Sequence, residues 1–313
     1  MLVKILSQKS ILFQFFFGIL FFALLFASIY PVNQDWYSVL AILSLILSAV
    51  VALVFYNNSN LINSSGYGLW FFLIWIICFS GITTDVKLSV SFLICNLIFW
   101  RWQSVNPQFG SKAVIFESSF LLIISALLYP PSVFLIVFII FSYLYTQSFG
   151  FRGVILLFVG LILPLIIGIQ LAYITDRLNG IEEYAHAFYL NFLNVPVWSL
   201  IPVGVLIVIS LVDHIMNYAA QNTGKRQRYF LTFIYFVNWL VLLILFGGEN
   251  INLFIFMGLP VSVFLSRFLQ YMKSDLKMEI WLWIYAAFMA VFYFRNEIGQ
   301  IYNQLLGNVS FQL

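Results

Sequence analysis

Apolar stretches of about 17 to 22 residues recur from one end of this chain to the other, and its few charges fall in short segments between them. An α-helix rises ~1.5 Å per residue, so stretches of this length come close to or reach the ~30 Å of a hydrocarbon layer. Hydrophobic residues make up 63% of the sequence and charged residues 8%. The expected fold is all-α, a polytopic transmembrane helix bundle forming a single integral membrane domain over residues 1–313. About eleven spans are expected, near residues 11–30, 38–56, 68–84, 86–100, 114–129, 132–147, 152–174, 197–213, 229–246, 251–266 and 279–294.

The basic residues alternate with the loops. If Lys4 and Lys9 are cytoplasmic, so are Arg101, Lys112, Arg152, Lys225, Arg226, Arg228, Arg267, Lys273 and Lys277, eleven in all. Three fall on the other side: Lys87, Arg177 and Arg295. Short cytoplasmic loops retain Lys and Arg, so the N-terminus is expected inside and the C-terminus in the periplasm. Asp35, Asp85, Asp176, Glu182, Glu183, Glu249 and Glu297 fall outside and make that face acidic. The run Ile11–Tyr30 exceeds the usual signal-peptide h-region and lacks a small-residue cleavage site, so it is expected to stay as the first span. Cys78 and Cys95 lie within spans, which offers neither a disulfide framework nor a Cys-based metal site.

The loops exclude several classes of function. The longest, His214–Arg228 inside and Asp176–Pro196 outside, are too short to bury a core. No P-loop, dinucleotide fingerprint, zincin helix or Cys-x-x-Cys pair occurs. An ATPase, a soluble catalytic domain and a nucleic-acid module are excluded within this chain, and no cofactor is called for. Lys225, Arg226 and Arg228 read as a cytoplasmic loop touching anionic headgroups.

Gly160, Pro164 and Gly168 recur every four residues on one helix face, where small residues let a neighbouring helix approach closely. Pro164, Pro202 and Pro260 are candidate kinks. Trp and Tyr near span ends, among them Tyr30, Trp36, Tyr37, Trp70, Trp100, Trp102, Tyr129 and Trp281, read as an interfacial belt.

The outer segment 176–195 is the leading candidate for chemistry. From Ile181 it reads as a short amphipathic helix in the periplasmic interface, with Ile181, Tyr184, Ala185, Phe188, Phe192 and Leu193 on its apolar stripe. Glu182 and Glu183 stand at its start, where the helix dipole favours negative charge. His186 follows Glu182 by four residues and Glu183 by three, a spacing that suits an acid–base pair or a cation. Ordinary capping and surface polarity account for the same residues. A metal there needs further ligands, such as Asp35, Asp85 or Glu249, and its identity stays unknown. Within the membrane, Glu117 is expected to pair with Arg101 or Lys112 near the cytoplasmic boundary, as a structural pair or a functional acid. Asp213-His214 closes the eighth span, and Asn96 and Asn238 are candidates for interhelical hydrogen bonds.

Arg101, with the runs Phe116-Glu117-Ser118-Ser119-Phe120, Ile124-Ser125-Ala126-Leu127-Leu128-Tyr129-Pro130-Pro131, Ser148-Phe149-Gly150-Phe151-Arg152 and Gly160-Leu161-Ile162-Leu163-Pro164, resembles an uncharacterised family of polytopic inner-membrane proteins from Bacteroidota. In that family a basic–acidic pair flanks a helix, followed by an aromatic-Arg turn and a G-L-x-x-P span. The resemblance covers about a quarter of the chain and implies an envelope role in a Gram-negative host, without an assigned activity. A weaker resemblance is to multi-span polyprenol-dependent glycosyltransferases, whose outer acid just after the first span corresponds to Asp35. The outer loop Pro31–Tyr37 is far shorter than theirs.

These features lead to an expected role in cell-envelope assembly, handling a polyprenyl-phosphate glycan-like intermediate at the outer face. The competing expectation is a non-enzymatic subunit that scaffolds or anchors a secretion or motility complex. Expected partners are membrane lipids, a lipid-linked glycan and other membrane subunits. The sequence leaves enzyme and non-enzyme both open.

Overall fold

A computed structural model describes residues 2–6, 18, 36–58, 61–62, 65–79, 85–105, 112–146, 150–175, 184, 188–194, 201–218 and 221–295. Its helices are α1 (Leu2–Leu6), α2 (Trp36–Asn58), α3 (Ser65–Cys78), α4 (Val86–Gln103), α5 (Lys112–Leu128), α6 (Ile136–Tyr145), α7 (Phe151–Ile174), α8 (Ile201–Met216), α9 (Thr223–Phe246), α10 (Gly258–Tyr271) and α11 (Asp275–Tyr293). Short 3-10 helices, Pro130–Leu135 and Ile251–Met257, lead into α6 and α10. No strand occurs among the described residues. Each expected span from 38–56 onward overlaps a helix, while 11–30, apart from Gly18, lies outside the described residues.

Five described segments are long and apolar enough to cross a membrane by themselves: Trp36–Asn58, Phe151–Ile174, Thr223–Phe246, Ile251–Tyr271 and Asp275–Tyr293. The chain is a helical membrane protein whose exposed apolar faces contact lipid. Local chemistry sets the helix starts. The Asp85 carboxylate accepts from the Lys87 and Leu88 amides at 2.9 and 3.3 Å and caps α4, and the Asn222 side chain caps α9 through the Lys225 amide. Pro202 is the second described residue of α8, and Pro260 is the third residue of α10, just past the 3-10 helix that leads into it. Pro164 lies inside α7, buried, and α7 remains one helix around it.

The helix ends sort into two groups. At one end Gln103, closing α4, donates to the Arg228 carbonyl and Thr232 hydroxyl of α9, each at 3.1 Å. Tyr145, closing α6, meets Tyr218 beyond α8 at 2.9 Å, and Tyr67, opening α3, bonds the Val3 carbonyl of α1. These helix ends carry Lys4, Arg101, Lys112, Arg152, Lys225, Arg226, Arg228, Arg267, Lys273 and Lys277. At the opposite end the Trp75 indole donates to the Phe254 carbonyl at 2.9 Å, and Cys78 bonds the Met289 carbonyl. Among the described basic residues, Lys87 and Arg295 belong to this second end.

Aromatic rings fill the space between the helices. Phe99 packs on Phe55, Phe138 and Tyr235, and Phe256 packs on Phe92, Tyr129 and, at 4.1 Å, Trp239. Trp102, expected in the interfacial belt, is buried in this core. The small-residue stripe of α7 lies on α5. A Cβ on Gly160 would collide with Ser119 and stand 2.8 Å from the Phe116 carbonyl oxygen, so only glycine allows this approach.

Candidate functional site

Arg101 sits in the last turn of α4 and Glu117 in the second turn of α5. The pair is bidentate, Nε to Oε2 at 2.5 Å and Nη2 to Oε1 at 3.1 Å, with side chains 40% and 42% exposed. Of the two partners expected for Glu117, the structure selects Arg101. Lys112 stands five residues earlier on the same helix, which turns it about 140° away from Glu117. The pair flanks a cleft of about 510 Å³ whose walls are Leu97, Trp100, Phe116, Phe120 and Leu121. Two antiparallel helix ends thus present one ion pair over an apolar slot.

A second cluster lies at the same end, in the interior. Arg267 of α10 is 1% exposed and His214 of α8 is 2% exposed. The Arg267 guanidinium bonds His214 Nδ1 and, at 3.0 Å, the Tyr271 hydroxyl, while its carbon lies 3.3 Å from the centroid of the Tyr229 ring. A guanidinium only donates, so Nδ1 accepts, and His214 is the neutral tautomer with its proton on Nε2. That proton points at the Tyr229 carbonyl, 3.2 Å away. Gln221 donates to Tyr271 at 3.1 Å and closes the cluster. Asp213 interacts with Arg267 through space, and its buried Oδ2 has no hydrogen-bond partner among the described residues. The arrangement holds a cation in the core on two neutral acceptors and a ring face. The sequence reading missed it because the tenth span was ended at residue 266. The apolar spacing Phe264, Leu265, Phe268, Leu269 carries the helix onward through Arg267.

Among the sequence-predicted site residues, Asp35, Glu182, Glu183 and His186 lie outside the described residues. Their described neighbours are anchored at the second end of the bundle. The Tyr184 hydroxyl bonds the Leu127 carbonyl at the end of α5, and Phe188 meets Phe134 edge-on ahead of α6. The expected helix does not run through 188–194. There the Asn191 and Leu193 amides donate to the Leu245 and Ile244 carbonyls at 3.0 and 3.1 Å. The last carbonyls of α9 have no helical partners, and this strap supplies them. Gly248, at φ +52°, returns its own amide to the Asn191 carbonyl at 2.9 Å. The positive φ suits glycine, and an added Cβ would strike the Asn191 side chain.

Among the described residues no three His, Cys, Asp or Glu side chains converge as a metal site. Asp85 serves as a cap. Cys78 and Cys95 are free thiols, and Cys95 bonds Ser125 at 3.3 Å. Asn238 reaches the Phe134 carbonyl at 3.4 Å, whereas the buried Asn96 amide has no partner among the described residues.

Fold and site together define a multi-helix integral membrane protein with polar clusters at both ends of its bundle. The chain belongs to a family of unknown function, DUF6427, whose model matches residues 1–302. No curated protein and no solved structure matches it.

Proposed function

We propose that this protein is a bacterial inner-membrane component of cell-envelope assembly that handles a lipid-linked, polyprenyl-phosphate glycan-like intermediate at its outer face. In this reading the chain makes about eleven spans, with a cytoplasmic N-terminus and a periplasmic C-terminus. The grouping of ten described basic residues at one bundle end supports that orientation. The observation that carries the functional reading is the anchoring of Tyr184 and Phe188 at the opposite end. They flank His186 and follow Glu182-Glu183, so the bundle holds the chain on each side of His186 and directly after the two glutamates. A tethered segment of this kind suits a site that meets a headgroup at the membrane surface.

Complementation of a deletion strain tests this. Glu182→Gln, Glu183→Gln and His186→Ala leave the apolar residues in place, so protein levels should hold while at least one variant abolishes complementation. Full complementation by the triple variant contradicts the reading. A second reading, a subunit that scaffolds a larger membrane complex, draws on α7 and α11, whose most apolar windows are only 17% and 22% buried. It predicts stoichiometric protein partners after gentle purification, where the first predicts a co-purifying lipid-linked sugar.

A further inference from the structure

We propose that the cleft between α4 and α5 binds an anionic glycerophospholipid, one acyl chain in the slot and its phosphodiester on Arg101 and Lys112. The site is separate from the outer-face residues above and does not depend on their role.

Three observations support it. First, the polarity of the cleft is ordered like a lipid. Arg101 and Glu117 sit toward the helix ends, Trp100 and Phe116 stand beside them, and Leu97, Phe120 and Leu121 lie about one turn deeper. A volume of about 510 Å³ is in the usual range of small-ligand sites and takes the headgroup-proximal part of a single chain. Second, Arg101 has donors to spare. Glu117 occupies two of its five N–H groups, which leaves three for phosphate oxygens on a side chain 40% exposed. Third, the charges select the headgroup. Lys112 is exposed at the start of α5, one turn ahead of the cleft wall Phe116, and adds a second cation at this helix end beside the Arg101–Glu117 pair. A phosphodiester neutralises that balance. Glu117 is already engaged through both oxygens, and a choline ammonium would meet Arg101 and Lys112 as like charges.

The test uses the full chain, delipidated in detergent and titrated with lipid under native mass spectrometry, with thermal unfolding recorded for every variant. Phosphatidylglycerol should bind at one tight site and about tenfold more strongly than phosphatidylcholine, a factor within reach of one charge-assisted hydrogen bond. Arg101→Gln with Glu117→Gln, which keeps net charge, should erase that preference. If this double variant fails to fold, Lys112→Gln should still weaken the preference, and Phe120→Trp should lower occupancy by filling the slot. Equal affinity for the two phospholipids overturns the proposal, as does wild-type binding by all of these folded variants. Preference for a polyprenyl monophosphate overturns the assigned occupant. Displacement of the lipid by millimolar inorganic phosphate alone would show a simple phosphate site and overturn it too.

Discussion

Arg101 and Arg267 stand at the same end of the bundle, Arg101 in the last turn of α4 and Arg267 just before the last turn of α10. There the likeness stops. Arg101 is 40% exposed and is held bidentately by a carboxylate. Arg267 is 1% exposed and is held by a neutral imidazole, a phenol and the face of a tyrosine ring. At the surface an ion pair keeps much of its hydration, so its gain and its cost are both small. In the core the desolvation of a cation is large, and each group that touches it becomes expensive to remove. The first arginine can therefore exchange partners with a lipid, while the second ties α8, α9 and α10 together.

The comparison can be broken most directly at the buried residue. Arg267→Ala should cost about 3–5 kcal/mol in thermal unfolding, because it opens a cavity and strips His214 and Tyr271 of their donor. A loss below about 1 kcal/mol would mean the cluster is not holding the helices. His214→Ala should cost about 1–3 kcal/mol by leaving an Arg267 N–H unsatisfied. The double variant His214→Phe with Arg267→Met should recover part of the first loss, since it refills the cavity and removes the imidazole while Tyr271 and Asp213 keep their polar atoms. Tyr229→Leu should cost about 1–2 kcal/mol through the lost ring face. Glu117→Gln should cost at most ~1 kcal/mol and become silent in high salt, which screens an exposed pair. If Glu117→Gln proves as damaging as Arg267→Ala, the contrast between the two sites is wrong.

Much of the fold was legible because hydropathy and helix formation agree in a membrane chain. The apolar stretches from 38–56 onward each correspond to a helix, and the Arg101–Glu117 pair stood out as two charges beside otherwise apolar runs. Arg267 did not stand out. Apart from Tyr271 one turn on, its partners come from α8 and α9, 53 and 38 residues away, and no local pattern announces such a meeting. Residues 188–194 misled for a different reason. Phe188, Phe192 and Leu193 fall at helical spacing, yet the free carbonyls closing α9 offered their amides better partners. Trp102 shows the same limit in the core. A tryptophan near a helix end reads as an interfacial anchor, and only the packing of α4 reveals that it is buried.

The proposed orientation puts both arginines at the cytoplasmic end of the bundle. Thr223 and Asn250 are exposed and bracket α9, whose 24 residues span about 36 Å. In a background lacking Cys78 and Cys95, single cysteines at these two positions can be probed with a membrane-impermeant thiol reagent on intact spheroplasts. The account predicts labelling of Asn250→Cys at once and of Thr223→Cys only after permeabilisation. Labelling of both from the same side, or of Thr223→Cys alone, would contradict it.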